Sequence, residues 1–474
     1  MNLARPRLDI MPNTTLHRPA ETPSPHAFAT GLLLVHLFVL MSRILELVLP
    51  VLGVNLRLSL ILTLVCLVAA VFTGGLLASI RTPVVVMFSA LTAWLMLTVL
   101  TSQWQGGSAM MIVNIWFPCY ACALLVPSLI SNLDQCRKVF SALAFSLVPI
   151  LLATIVFQDQ VQGRDEITFG TLANPNDLAF FLLLLIPFAV FVIKGNSLLN
   201  WKTIVCASAI VFGLIKVLRT GSRAGISAIA ICFFILFVAA TAKAKVKMLG
   251  VTALIAVLAF AFLPETLLLR YATIFNGTGD EQGMSDDELS AVASSRIRKM
   301  LFEESVRMMV ENPVFGVGPG IFTAALAKDQ KARGEQETWH EAHNSFTQIG
   351  SEAGIPALAI YLALVIYCLR QTTSIYLRTR RDPNQIVISR MAATLAMALV
   401  IFVTCGAFGT YSYTFHFPIL AGLVQAFVVA VRKEQKTTPA VVPVRLSMLS
   451  ATTPALTPSV PNYVRNRRLR HGRA

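Results

Sequence analysis

Charge is scarce in this chain. Only 13% of its 474 residues are Asp, Glu, Lys or Arg, about half of the roughly 25% found in soluble domains, which excludes a water-soluble globular body. Histidine is also sparse, at seven residues. Cysteine occurs eight times, yet Cys66, Cys119, Cys122, Cys206, Cys232, Cys368 and Cys405 fall inside apolar runs and Cys136 beside one. With none in a long hydrophilic stretch, a disulfide framework is excluded. Cys119 and Cys122 make a C-x-x-C, but it lacks a second ligand pair and lies in an apolar helix, so it reads as packing. The N-terminus also lacks a short basic segment followed at once by an apolar core. Met1–His26 is instead polar and Pro-rich, which predicts a retained disordered tail rather than a cleaved signal peptide.

Apolar residues are what the chain has in abundance, at 55% of the total. Runs at 58–79, 139–157, 177–193, 223–241, 246–263, 354–369, 391–409 and 417–431 approach or exceed the ~18–20 residues a helix needs to cross a bilayer. Weaker runs at 28–50, 83–101, 109–130 and 203–218 bring the expected count to about twelve. The predicted class is an all-α, polytopic integral membrane protein. Its expected organisation is a cytoplasmic tail over 1–27, nine membrane helices within 28–263, a helical periplasmic loop over 264–352, three further helices within 353–432 and a basic cytoplasmic tail over 433–474.

The net charge of +15 raises nucleic acid as a partner, but its distribution argues against one. With the N-terminus inside, Arg81, Arg137, Lys138, Lys194, Lys202, Lys243, Lys245, Lys247, Arg378, Arg380 and Arg381 all fall on cytoplasmic loops. Short outside loops hold only Arg57, Arg164, Arg219 and Arg223. This asymmetry is the positive-inside rule, so the excess charge sets topology.

The long outside loop is where chemistry is expected, because loops beyond ~15 residues usually carry function. Within it, residues 285–312 open with Ser285 and Glu288 in capping-box spacing and set Ile297, Leu301, Val306, Met309 and Val310 at helical intervals. Pro313 should end that helix, and a turn, FGVGPG, leads to a second predicted helix over 321–333. GVGPG (Gly316, Gly318, Gly320) follows no strand, so a tight turn is favoured over a phosphate cradle, although its free N–H groups would still be able to face a phosphate.

WHEAHNSFTQIG (339–350) then places His340, Glu341 and His343 together. A zinc protease motif would need its histidines four apart, and here they are three apart with no third ligand nearby. Read for proton transfer instead, His343 is a candidate general base, since a neutral imidazole takes a proton from an attacking hydroxyl. Arg219 and Arg223, in LRTGSRAG, sit where an outside turn meets a membrane helix. An arginine toward the bilayer centre costs about 2.5–3.5 kcal/mol, which snorkelling relieves; the functional reading is an anion site, with Arg296 and Arg298 of the loop helix adding charge.

Taken in order, TLANPNDLA (171–179), RTGSRAG (219–225), SSRIRKMLFEESVRMMVENPVFGVGPG (294–320) and HEAHNSFTQIGSEAGIPAL (340–358) resemble the O-antigen ligase and polymerase family of bacterial surface-polysaccharide enzymes, over about residues 30 to 430. The resemblance implies an inner-membrane glycosyltransferase that moves a glycan from undecaprenyl diphosphate to an acceptor sugar hydroxyl, such as one on lipid A core, without metal, nucleotide or other cofactor. By position it implies roles for Arg223, Arg298 and His343, with Arg296 one turn away as the competing assignment. Where the family commonly has tryptophan, four residues after the loop arginine, this chain has Phe302, expected to preserve packing.

An outside sugar donor must in any case be lipid-linked, because nucleotide sugars are cytoplasmic. The large loop has no D-x-D, and the first outside loop, near Val54 to Arg57, has no acidic residue. Arginine is then expected to neutralise the leaving diphosphate, and attack opposite to it would invert the anomeric centre. Asn344 and Glu352 are expected to orient the histidine or bind sugar, and Arg164, Asp165 and Glu166 to line the acceptor path. Polymerase and protein O-glycosylation readings share these residues. A lipid-glycan transporter also fits about twelve helices, but would place ionisable residues near mid-membrane in two related halves, and no repeat is seen.

Overall fold

A computed structural model describes residues 25–51, 53, 57–161, 163–276 and 286–437. Both expected tails lie mainly outside these residues, as does the Ser285 end of the expected capping box. Among the described residues, those up to Gln435 form one compact unit.

The described chain is helical apart from one two-stranded hairpin. Seven helices are long and apolar enough to cross a membrane, and four shorter apolar helices of 10–17 residues accompany them. The expected apolar runs coincide with these helices and with Ala242–Phe262. Helix Pro175–Gly195 is the most enclosed of the first half: Leu178 and every residue from Phe180 to Leu185 are buried. A helix apolar on all sides is stable only where it is surrounded.

Two runs that read as continuous spans are broken, each at a residue in the left-handed region. Residues 58–79 divide into Leu58–Phe72 and Gly75–Ile80 across Gly74, at φ 69°. A Cβ on the adjacent Gly75 would lie 2.0 Å from the Ser128 carbonyl oxygen, so the glycine pair permits a close backbone approach. Residues 28–50 divide at Arg43, at φ 54°.

The strands, β1 (Gln158–Val161) and β2 (Arg164–Ile167), pair antiparallel through Gly163 at φ 68°. Sequence periodicity did not announce them, because four-residue strands are too short to show an alternation. Successive side chains on β2 point to opposite faces. Asp165 and Ile167 are accordingly buried while Arg164 and Glu166 stay half-buried on the other side.

The loop helix spans Asp286–Glu311 and the second one Phe322–Ala332, close to expectation. Its buried face is different. Leu301, Ser305 and Met308 face the small core shared with Phe322 and Leu326, whereas Ile297 and Val310 are exposed. Phe302 is 46% exposed, so packing is not its contribution; that role falls to its neighbour Leu301.

Helix Ser345–Thr379 is kinked at Gly354, with φ 81° and ψ 173°, followed by Pro356. Carbonyls freed by the break are taken up from outside the helix. Val317 N–H donates to Ser351 O at 2.9 Å, Gly318 N–H to Glu352 O at 2.9 Å and Trp94 Nε1 to Ala353 O at 2.9 Å, while Ile355 N–H donates to Pro313 O at 2.7 Å. The GVGPG turn is therefore sewn into the kink, and its amides are occupied by the protein; the phosphate-facing alternative does not hold. Gly316, Gly318 and Gly320 all have positive φ.

A Cβ at position 354 would meet the Val314 carbonyl oxygen at 2.0 Å. Gly354→Ala should therefore lower stability by at least the about 1–3 kcal/mol of left-handed strain. Thermal unfolding monitored by size-exclusion in detergent checks it: a variant as stable as the parent would contradict this reading of the kink.

Candidate functional site

The RTGSRAG turn is anchored by residues far from it in sequence. Arg164 Nε donates to Thr220 O at 2.7 Å, Arg270 Nε to Gly221 O at 3.2 Å and the Tyr271 hydroxyl to Leu218 O at 2.7 Å. Ser222 caps the following helix by accepting from Gly225 N–H. Arg223, in the first turn, reaches across to the loop helix, where its Nη1 donates to Ser295 Oγ at 2.6 Å.

These anchors bring guanidinium groups together around a cavity of about 650 Å³ lined by Arg164, Glu166, Asn176, Arg298, His340 and His343. Burial, and then the nearby Arg270 and Arg298, push the Arg164 pKa down to about 9. Arg298 is lowered by burial and by Arg270. Guanidinium groups remain protonated at neutral pH regardless, so these shifts reflect buried positive charge first and its crowding second, both of which a bound anion would relieve. Arg270, only 7% exposed, was not anticipated, since ETLLLRYA reads as an ordinary amphipathic turn.

The structure distinguishes the two loop arginines. Arg298 lines the cavity, whereas Arg296 is exposed and is not among its lining residues. Arg219 turns away: its Nε donates to the buried Asp165 at 3.0 Å, alongside Lys216 Nζ at 3.0 Å. Burial alone would raise the Asp165 carboxyl, but these two cations outweigh it and hold it below the ordinary carboxylate range. Asp165 thus lies behind the hairpin, while Arg164 and Glu166 on the opposite face meet the cavity.

His343 adopts φ 51°, a conformation uncommon outside glycine that clusters at functional sites. Its N–H donates to Thr410 Oγ1 at 3.2 Å. Asn344 follows as the helix cap, accepting from Phe346 and Thr347 N–H and donating through Nδ2 to Ala407 O at 3.0 Å. Ser345 Oγ donates to Gly409 O at 2.7 Å and accepts from Tyr411 N–H at 2.8 Å. The H-N-S tripeptide is thereby fastened to residues 407–411, which no motif had marked. Asn344 holds the backbone beside the histidine and is not among the residues lining either cavity that His343 lines. Burial, and then Arg298 and His340, push the His343 pKa down to about 4, so at pH 7 the imidazole is neutral.

His343 also lines a smaller cavity of about 190 Å³, with Arg43, Asp177, Glu341 and Tyr411. Glu341, Thr410 and Thr414 lie in its wall and in that of a third cavity, of about 490 Å³, which Glu352 lines. Glu352 accepts from Gly320 N–H at 2.8 Å and Phe322 N–H at 3.1 Å. It pins the glycine turn and does not line either cavity that His343 lines. Among the described residues, no group of three or more His, Cys, Asp or Glu side chains is arranged to hold a metal ion.

A model of the family described as O-Antigen ligase matches residues 208–362, about a third of the chain, and bears out the resemblance read from the sequence. The match contains Arg223, Arg270, Arg298 and His343. No curated protein matches the chain.

If crowded arginines make the larger cavity an anion site, methylene diphosphonate should raise the thermal unfolding temperature of the purified protein, with a dependence that weakens in high salt. Arg298→Ala should weaken its binding about ten-fold or more, and Arg296→Ala much less. Equal effects of the two substitutions would contradict the placement of Arg298.

Proposed function

With residues 208–362 forming an O-antigen ligase segment in a multi-pass membrane protein, we propose that the chain transfers a glycan from undecaprenyl diphosphate to an acceptor sugar hydroxyl at the periplasmic face. The family indicates ligase- or polymerase-like action on surface polysaccharide. Supporting the finer reading is one arrangement: a neutral imidazole, His343, on the wall shared by a guanidinium-lined cavity and a carboxylate-lined one. Twelve crossings with both termini cytoplasmic would put this arrangement in the periplasm, where donors are lipid-linked.

The diphosphate binds in the larger cavity. Arg298 and Arg164 face it directly, and Arg223 and Arg270 add positive charge from behind. As the bond between the sugar C1 and the diphosphate oxygen breaks, its electron pair leaves on the diphosphate, and fixed cations stabilise that charge without having to reorganise. The acceptor O–H bond breaks toward His343, which takes the proton, and the acceptor oxygen forms the new bond to C1 from the opposite face. The anomeric centre inverts. Undecaprenyl diphosphate and a protonated histidine remain, and the proton is then lost to water.

Donor and base are also coupled. In the free protein burial, and then the positive surroundings, hold His343 neutral but poorly basic. A bound diphosphate carries the opposite charge and raises the imidazole pKa toward its ordinary value near 6.5, where it is a stronger base. The histidine is thus strengthened as a base when its donor is in place.

Two outcomes follow. His343→Ala should reduce turnover of a lipid-diphosphate-linked glycan by about 10²–10⁴ while leaving donor affinity within a few-fold. In a surface-glycan ligase null strain it should fail to restore glycan on lipid A where the parent chain succeeds; restoration of chain length without ligation would instead favour the polymerase reading. The pH profiles should also separate. Because the free-enzyme pKa is lowered to about 4, kcat/KM for donor should hold its plateau down through pH 5 and fall only near pH 4. The acid limb of kcat, set by the donor complex, should lie at higher pH. Coincident limbs would contradict the coupling.

A further inference from the structure

The smaller cavity contains groups that the donor chemistry leaves unused. Arg43, in its left-handed conformation, lies between the rings of Phe181 and Phe415, at 5.0 and 4.6 Å from their centroids. Its Nη1 donates to Glu46 at 2.8 Å, and Glu46 in turn accepts from the Thr171 hydroxyl. Glu46 takes the direct ion pair of that guanidinium, so the two carboxylates of the cavity wall, Asp177 and Glu341, share with it the single Arg or Lys among the lining residues. Asp177 accepts from the Tyr411 hydroxyl at 2.8 Å, and Tyr411 stacks on Phe180. The cavity is thus negative, aromatic on one side and adjacent to His343, while its neighbour across Asn174 and Asn176 is positive.

Residues of its walls also carry deeply buried polar atoms that have no hydrogen-bond partner among the described residues. His416 is 1% exposed, and its Nδ1 pairs with Thr414 Oγ1 at 2.9 Å, but its Nε2 has no hydrogen-bond partner among the described residues. Arg43 Nε is in the same position, and so is Gln348 Oε1 in the third cavity, beyond Glu341. A buried polar atom left unpaired is costly, and such atoms call for an explanation. Donors and acceptors interspersed beside aromatic faces suit a ligand that both gives and takes hydrogen bonds around an apolar ring edge. Polyhydroxylated sugars have this character, and water or a simple anion does not offer the apolar edge.

We propose that this cavity binds the acceptor's reacting residue as a neutral pyranose, with hydroxyls donating to Asp177 and Glu341, and that it discriminates against acceptors ending in a uronic acid or phosphorylated sugar. The proposal rests on the glycosyl-transfer reading and names the substrate class of its acceptor side. Negative charge on the acceptor would meet two carboxylates that no cation fully offsets, whereas the anionic donor occupies the arginine-lined side. The two substrates are sorted by charge on either side of one imidazole, and the acceptor's inner residues extend past Glu341 toward Met110, Met111 and Ile115.

The test measures binding without turnover. Full-length His343→Ala protein in nanodiscs is titrated with a core oligosaccharide ending in glucose, and with the same oligosaccharide oxidised to the carboxylate at its terminal C6. The neutral form should bind at least about ten-fold tighter. Glu341→Gln, at an exposed position where loss of fold is least expected, should shrink that preference several-fold, and Asp177→Asn should do the same if its unfolding temperature is maintained. Equal binding of the two sugars, tighter binding of the acid, no saturable binding of the neutral form, or an undiminished preference in Glu341→Gln would each overturn the proposal. Because the readout is equilibrium binding in a protein without His343, a failure of the base assignment would appear only in turnover and leave this result intact.

Discussion

Repulsion among guanidinium groups is the constraint on which the rest of this structure depends. Arg164, Arg223, Arg270 and Arg298 are partly or largely withdrawn from water, and Arg270 lies close enough to Arg164 and Arg298 to add to the lowering that burial imposes on both. Bringing like charges together costs folding free energy, and here the cost is met by specific ties: backbone carbonyls of the 218–222 turn for Arg164 and Arg270, and Ser295 for Arg223. Such an arrangement is poorly suited to an empty cavity and well suited to a diphosphate. Asp165 does not relieve it, because β2 directs that carboxylate to the opposite face, where it neutralises Lys216 and Arg219 instead.

The same electric field acts on His343. Burial, and then positive neighbours, keep the imidazole unprotonated, so in the proposed reaction the base is available but weak until an anion arrives. A backbone in the left-handed region and a helix cap at the next residue fix where the ring sits. The kink at Gly354 joins this helix to the glycine turn, which in turn positions the loop helices that present Arg298. Membrane helix, turn and loop helix are consequently one mechanical unit: Gly316 and Gly354 are required by close backbone approach, and Gly318 and Gly320 by the Ser102 and Met111 side chains packed against them, all four at positive φ.

Much of this was legible from the amino acids. Apolar runs located the helices because bilayer thickness fixes their length, and Pro313 and the periodicity before it delimited the loop helix. His343, Arg223 and Arg298 were singled out because histidine is rare here and arginines expected outside run against the positive-inside trend; the fold sets His343 and Arg298 on one cavity and Arg223 against Ser295 of the loop helix. What escaped notice did so for physical reasons. Arg270 looks like a polar residue on an amphipathic helix, and only the fold reveals that its neighbours are arginines. Asp177 sits at the end of an apolar run, where snorkelling is the ordinary explanation for charge, and Arg43 lies within one, at a break that the apolar pattern does not show. Tyr411 and Thr410 matter through hydrogen bonds to residues more than sixty positions away, a separation that local pattern cannot bridge. Arg219 shows the reverse case: the trend that favoured it was sound, but a carboxylate on a strand too short to detect had already claimed it.

The most direct measurement is a cryo-electron-microscopy structure of the chain in nanodiscs with a non-hydrolysable undecaprenyl diphosphonate glycan. The account requires the diphosphonate to lie within hydrogen-bond distance of Arg298 and Arg164, with the sugar C1 directed toward His343 and the space beside Asp177 left for an acceptor. A diphosphonate held elsewhere, with the arginine cavity empty or His343 remote from C1, would contradict it.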